Sequence, residues 1–121
     1  MVDGTIDAAK AQVLSQVDIA ICAAVAGVRV LETSHYAQST RLKIIADVNA
    51  VAPSGAAGVE VMSDGSLIVD TKITAFGALA IGQLKYKTQQ KLLQNMLASE
   101  SPVHFDFNNA FDVARDILTA S

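Results

Sequence analysis

The stretch IIADVNAVAPSG, residues 44 to 55, decides how this chain is read. A continuous apolar run meets Asp47 and Asn49 and then a Pro-Ser-Gly turn, with nothing between them to begin a helix. A short apolar run bounded by turn residues predicts a strand covered on both faces. In an open α/β sheet, the loop leaving the carboxyl end of such a strand is the usual ligand position. Asp and Asn also bond readily to nearby backbone, so the same residues describe a loop that merely holds its own shape. On the residues alone both readings stand.

Working outward, DIAICA, residues 18 to 23, has the same apolar character, and TKITAFG, residues 71 to 77, is a third strand candidate. Residues 5 to 17 read as a helix, with Thr5 as N-cap and Ile6, Ala9, Val13, Leu14 and Val17 at helical spacing. A glycine-bearing turn at 24 to 28 leads into a short helical or irregular piece containing His35. The run GVEVMSDGSLIVD, residues 58 to 70, predicts a hairpin turning at Asp64-Gly65. From Ala78 a long helix is expected, then a break at Ser101-Pro102. A last helix follows, with Phe107, Phe111, Ala114 and Leu118 on one stripe. Alternation of helices and strands makes the fold class α/β: a short, mainly parallel sheet with flanking helices.

At 121 residues the chain is at most one domain, and 51% hydrophobic residues against 17% charged ones suffice for a packed core. The net charge of −3 and scattered basic residues argue against nucleic acid as a partner. Cys22 is a lone cysteine in an apolar run, which predicts a buried structural thiol and a cytoplasmic setting. The opening MVDGTIDAAK lacks an apolar leader, and the run from Ile19 to Val28 is shorter than the ~20 residues of a membrane span; a soluble chain is expected, with no membrane partner. His35 and His104 are isolated, so no metal site is expected. No Gly-x-Gly-x-x-Gly phosphate cradle is present, since GAAGVE at 55 to 60 and GALAIG at 77 to 82 lack the spacing.

Two longer stretches, IIADVNAVAPSGAAGVE (44 to 60) and AFGALAIGQLKYKTQQKLL (75 to 93), carry a family resemblance. They resemble the C-terminal part of the NAD(P)-dependent methylene-tetrahydromethanopterin or methylene-tetrahydrofolate dehydrogenases. The resemblance implies that residues 1 to 121 form one partial domain: the second half of a Rossmann-like NAD(P)-binding domain plus C-terminal helices. It also implies hydride transfer from a reduced methylene-pterin to NADP or NAD, a reaction in which the protein mainly positions two rings.

By the same resemblance, the loop Cys22 to Gly27 borders the nicotinamide, which makes Ala23, Ala24 and Val25 cofactor-binding candidates. The family pattern there resembles Thr-Ala-Gly-Ala-Ile-Gly, and Ala24 replaces a glycine, adding a methyl where backbone would approach a ligand. The Asp-x-Asn-Ala motif assigns Asp47 and Asn49 to the cofactor or pterin. Lys85, one turn into a helix after a glycine-rich entry, takes the position of the lysine facing the substrate and is the catalytic candidate. Read without the resemblance, Lys85 is a solvated lysine beside Lys87 and Lys91.

Lacking the glycine-rich half and the pterin domain, the chain is expected to be inactive alone. The alternative is a non-catalytic binding or assembly module. In the Rossmann order, DIAICA would lie at an unpaired edge that invites strand addition, by a second copy or a companion chain.

Overall fold

A computed structural model describes residues 3 to 121, which divide into one compact unit ending at Ile81 and another from Gly82 to Ser121. The elements are α1 (Asp7–Leu14), β1 (Ile19–Cys22), α2 (Thr33–Tyr36), β2 (Ile44–Asp47), β3 (Asp64–Leu67), β4 (Thr74–Phe76), α3 (Ala78–Ala98) and α4 (Phe107–Thr119). The chain is α/β, with an open, mostly parallel sheet of four strands in the order β1-β2-β4-β3 and flanking helices, consistent with a Rossmann-like fold. β1, β2 and β4 are parallel, whereas β3 runs antiparallel to β4.

Register assigns each strand residue to a face. Ile19 lies beside Ile44 and Ile44 beside Thr74; one step on, Ala20, Ile45 and Ala75 align on the opposite face. Cys22, Ile45, Asp47 and Ala75 are buried, and the apolar ones pack with Leu14, Leu31, Tyr36, Leu42, Ala56, Val59, Ile68 and Ile73 into one core. The other face stays open at β1, where Ile19 is 55% and Ile21 68% exposed. Coverage of this strand on both faces was expected and is not found. An all-apolar strand signals two faces able to be buried, but the core of this unit gathers on one.

Two local expectations are corrected. Thr5 does not cap α1: its N–H and Oγ1 both donate to Asp3 Oδ1, at 2.9 and 2.7 Å, and the helix starts only at Asp7. The hairpin does not turn at Asp64-Gly65. Gly65 lies inside β3 with φ +81°, at an irregularity between Asp64 and Ser66. A residue at positive φ is what a bulge of this kind needs, and glycine adopts it without strain. The reversal comes later, around Asp70 at φ +59°, closed by the Ile68 N–H donating to the Ile73 carbonyl at 2.9 Å.

Gly77 joins β4 to α3 at a backbone crossing so close that a Cβ there would overlap the Glu60 carbonyl. The first turn of α3 is tied to the same segment, since the Leu79 and Ala80 N–H groups both donate to the Val61 carbonyl, at 2.8 and 3.4 Å.

In the second unit, α3 continues to Ala98 and buries only Thr88, whose hydroxyl donates to the Leu84 carbonyl at 2.8 Å. α4 starts with a capping box: Asp106 Oδ1 accepts from the Asn108 and Asn109 N–H groups, and Asn109 Oδ1 accepts from the Asp106 N–H. The predicted stripe is present, but Phe107, Phe111 and Leu118 are all exposed. Among the described residues no helix is long and apolar enough to cross a membrane.

Candidate functional site

Three parallel strands deliver their carboxyl ends to one edge of the sheet. β1 continues into residues 23 to 27, β2 into residues 48 to 55, and β4 into Gly77 and the start of α3. The Asp47 side chain, 1% exposed, lies under this edge. Its Oδ1 accepts from the Asn49 N–H at 2.9 Å and its Oδ2 from the Ala56 N–H at 3.1 Å. A Cβ on Gly55 would stand 3.0 Å from Oδ1, so the loop folds tightly around the carboxylate.

Asn49, also buried, joins two loops. Its Oδ1 accepts from the Val51 N–H at 3.0 Å and, across the edge, from the Gly27 N–H at 3.3 Å. Its Nδ2 donates to the Pro53 carbonyl at 3.2 Å. Gly27 has φ +76°, a conformation that glycine adopts freely.

The next residues continue the seam. Val30 and Leu31 N–H groups donate to the Gly55 carbonyl at 2.8 and 2.9 Å, and the Ala57 N–H donates back to Leu31 at 2.8 Å. The Arg29 guanidinium donates to the Ser54 carbonyl and, at 3.5 Å, to its hydroxyl. Arg29 and Ser54 were not singled out from sequence; they are 25 residues apart and carry no shared local pattern.

Around this seam the surface is small and apolar. Ala23, Ala24 and Val25 are exposed, and so are Val48 and Val51. Beneath it Cys22 is buried, and its thiol is pushed up to about 11, first by burial and second by the neighbouring negative charge of Asp47. A thiol so protonated is a poor nucleophile at neutral pH.

The structure thus brings Ala23, Ala24, Val25, Asp47 and Asn49 to one edge of the first unit. Lys85 belongs to the second unit, where it is exposed on α3. Because α3 already begins at Ala78, Gly82 lies inside the helix, and Lys85 is about two turns in rather than one. His35 has a local role: Nδ1 accepts from the Glu32 N–H at 3.0 Å, and Nε2 contacts Asp7 Oδ1 at 3.0 Å, linking α2 to α1.

No family model matches the chain. It is, however, 34% identical over 116 residues, 96% of its length, to an NAD(P)-dependent methylenetetrahydromethanopterin dehydrogenase of Methylorubrum extorquens. The chain is similar to part of a pterin dehydrogenase. A second relative, the bifunctional protein MdtA of the same bacterium, is 27% identical over 111 residues. The matches cover 39% and 38% of these two proteins, so the chain spans about two fifths of the length of the curated relatives it matches.

Proposed function

We propose that this chain is a methylene-tetrahydromethanopterin dehydrogenase-like segment forming the nicotinamide-facing part of an NAD(P) site, inactive by itself. The observation that carries the reading is the Asn49 bridge. It fixes residues 23 to 27 against residues 48 to 55 at the carboxyl ends of adjacent parallel strands, where open α/β sheets hold ligands.

The edge suits one end of the cofactor and not the other. Ala23, Ala24 and Val25 offer a small, uncharged surface on which a flat ring can lie. Nothing comparable awaits the phosphates: the glycine-rich cradle is missing, and the Leu79 and Ala80 amides of α3 are already bonded to Val61. When bound, the nicotinamide of NADP or NAD would supply the hydride acceptor. Asp47 and Asn49 act as positioning residues, because their oxygens hold loop backbone rather than facing outward. By the resemblance, Lys85 would be the residue that donates a hydrogen bond to polar atoms of a reduced pterin. The lone protonated thiol fits a reducing cytoplasm.

Thermal melting with NADP, NAD and a reduced methylene-pterin tests this reading. A ligand that binds only the folded chain stabilises it by ~2.7 kcal/mol at a hundred times its dissociation constant. The expected result is a rise with at least one nucleotide that is lost in Asn49→Ala, and a pterin-dependent rise that is lost in Lys85→Ala. An unchanged melting temperature with every ligand refutes it.

A second reading is favoured by the sheet edge. Among the described residues β1 ends the sheet and exposes two isoleucines, as a non-catalytic module that assembles by strand addition would.

A further inference from the structure

The run Glu32-Thr33-Ser34-His35 opens α2 with a capping box whose acceptor can itself take a proton. In the common form, a Glu or Gln three residues after the N-cap reaches back to the N-cap N–H. Here His35 does so. Its Nδ1 accepts from the Glu32 N–H at 3.0 Å, and the His35 N–H donates to the Glu32 carbonyl at 3.0 Å. The ring is buried, and its other nitrogen, Nε2, stands 3.0 Å from Asp7 Oδ1 on α1. A ring nitrogen that accepts a hydrogen bond carries no proton, so the proton of the neutral ring sits on Nε2 and points at Asp7.

The Glu32 N–H shares a peptide plane with the Leu31 carbonyl, and such a plane turns as one body. That carbonyl accepts from the Ala57 N–H at 2.8 Å. The preceding amide, Ala56 N–H, donates to Asp47 Oδ2 at 3.1 Å, the carboxylate beneath the candidate site. One peptide plane thus has His35 on its N–H side and the seam on its carbonyl side.

Charged side chains reach this ring from two elements. On α1, Asp7 attracts an added positive charge, and Lys10, 3.5 Å from the same carboxylate oxygen, weakens that pull. On the segment entering α2, the Glu32 carboxylate is matched by Arg29 at 3.7 Å. The backbone opposes them, since a second proton can land only on Nδ1, where it meets the Glu32 N–H donor to donor. From this geometry we infer that His35 is a proton-operated latch on the seam. Neutral, it ties α1 to the 31–32 peptide; protonated, it stays with Asp7, releases the Glu32 N–H and loosens the bond from Ala57 to Leu31. That such loosening matters to a ligand rests on the nicotinamide reading above. The latch itself does not, and its test contains no nucleotide or pterin, so the two fail separately.

The test is imidazole 15N NMR of the unaltered chain, with amide exchange of that chain and of His35→Gln, at about pH 8 and about pH 5.5, either side of the ordinary histidine range. Gln at this position keeps a capping acceptor that takes no proton. At the higher pH the ring should carry its proton on Nε2. On going to the lower pH, protection corrected for intrinsic rate should fall at Glu32 and Ala57 together, at least roughly fivefold, the loss of one ordinary hydrogen bond. No such fall is expected in His35→Gln. A proton on Nδ1 at the higher pH, equal falls in both proteins, a fall at Glu32 without Ala57, or no fall at all overturns the latch. Should His35→Gln fail to fold, the unaltered chain still decides, because the losses at Glu32 and Ala57 must share the midpoint of the His35 ring titration.

Discussion

Asp47→Asn is the substitution that most directly probes the carboxyl-edge seam. The carboxylate is buried and accepts two backbone N–H bonds, at 2.9 and 3.1 Å. Hydrogen bonds to a charged acceptor contribute about 1.5 to 3 kcal/mol each. An amide of the same shape keeps one acceptor but turns an NH2 toward the second backbone N–H, opposing donor to donor. Relief from burying a charge offsets part of the loss, leaving a net destabilisation of about 2 to 3 kcal/mol. In urea this appears as a midpoint lowered by about 1 to 2 M at unchanged slope. A second readout is Cys22. Part of the upward push on its thiol comes from Asp47, so the variant's thiol should ionise more readily and react faster with iodoacetamide at alkaline pH. An unshifted urea midpoint, or thiol reactivity identical to that of the unaltered chain, would refute the view that this carboxylate is charged and holds the loop.

Other outcomes follow from the same geometry. Cys22 ionises near 9.0 in an ordinary setting and about 11 here, so its folded pKa is raised. The stability this contributes is complete below pH 9 and is lost as pH rises through 11, on the order of 2 kcal/mol; the stability gap between the unaltered chain and Cys22→Ala, measured by urea melts at pH 8 and 10.5, should narrow accordingly. The glycines of GALAIG should respond with opposite signs in thermal melts. Gly77→Ala forces a methyl onto Glu60 and Val61 backbone and costs about 3 kcal/mol, whereas Gly82→Ala meets nothing within 4 Å in mid-helix and gains about 0.5 to 1 kcal/mol. Asp106→Ala removes the α4 cap and should cost that helix about 1 kcal/mol, read as faster amide exchange at Asn108 and Asn109.

The strands were legible because short apolar or β-prone runs between turn formers leave few alternatives: IIAD, IAIC and TAF all pair where their composition suggests. The hairpin was misplaced because Asp-Gly satisfies a bulge as well as a turn, and only the pairing partner distinguishes them. The extent of the first helix was also misread, since Thr5 has a nearer carboxylate, Asp3, on which to place both donors. At the candidate site, the residue types of Asp47 and Asn49 stood out, yet their partners did not. The bond from Gly27 to Asn49 spans 22 positions and exists only because β1 and β2 are neighbours. Periodicity along a chain carries no information about such a contact. The same holds for Arg29 reaching Ser54.

The asymmetry between the sheet's two margins gives them different tolerance for a neighbouring strand. At the β3 border, Asp64 and the break in pairing at Gly65 deny an incoming backbone a regular row of partners, so one glycine and one aspartate suffice to end the sheet on that side.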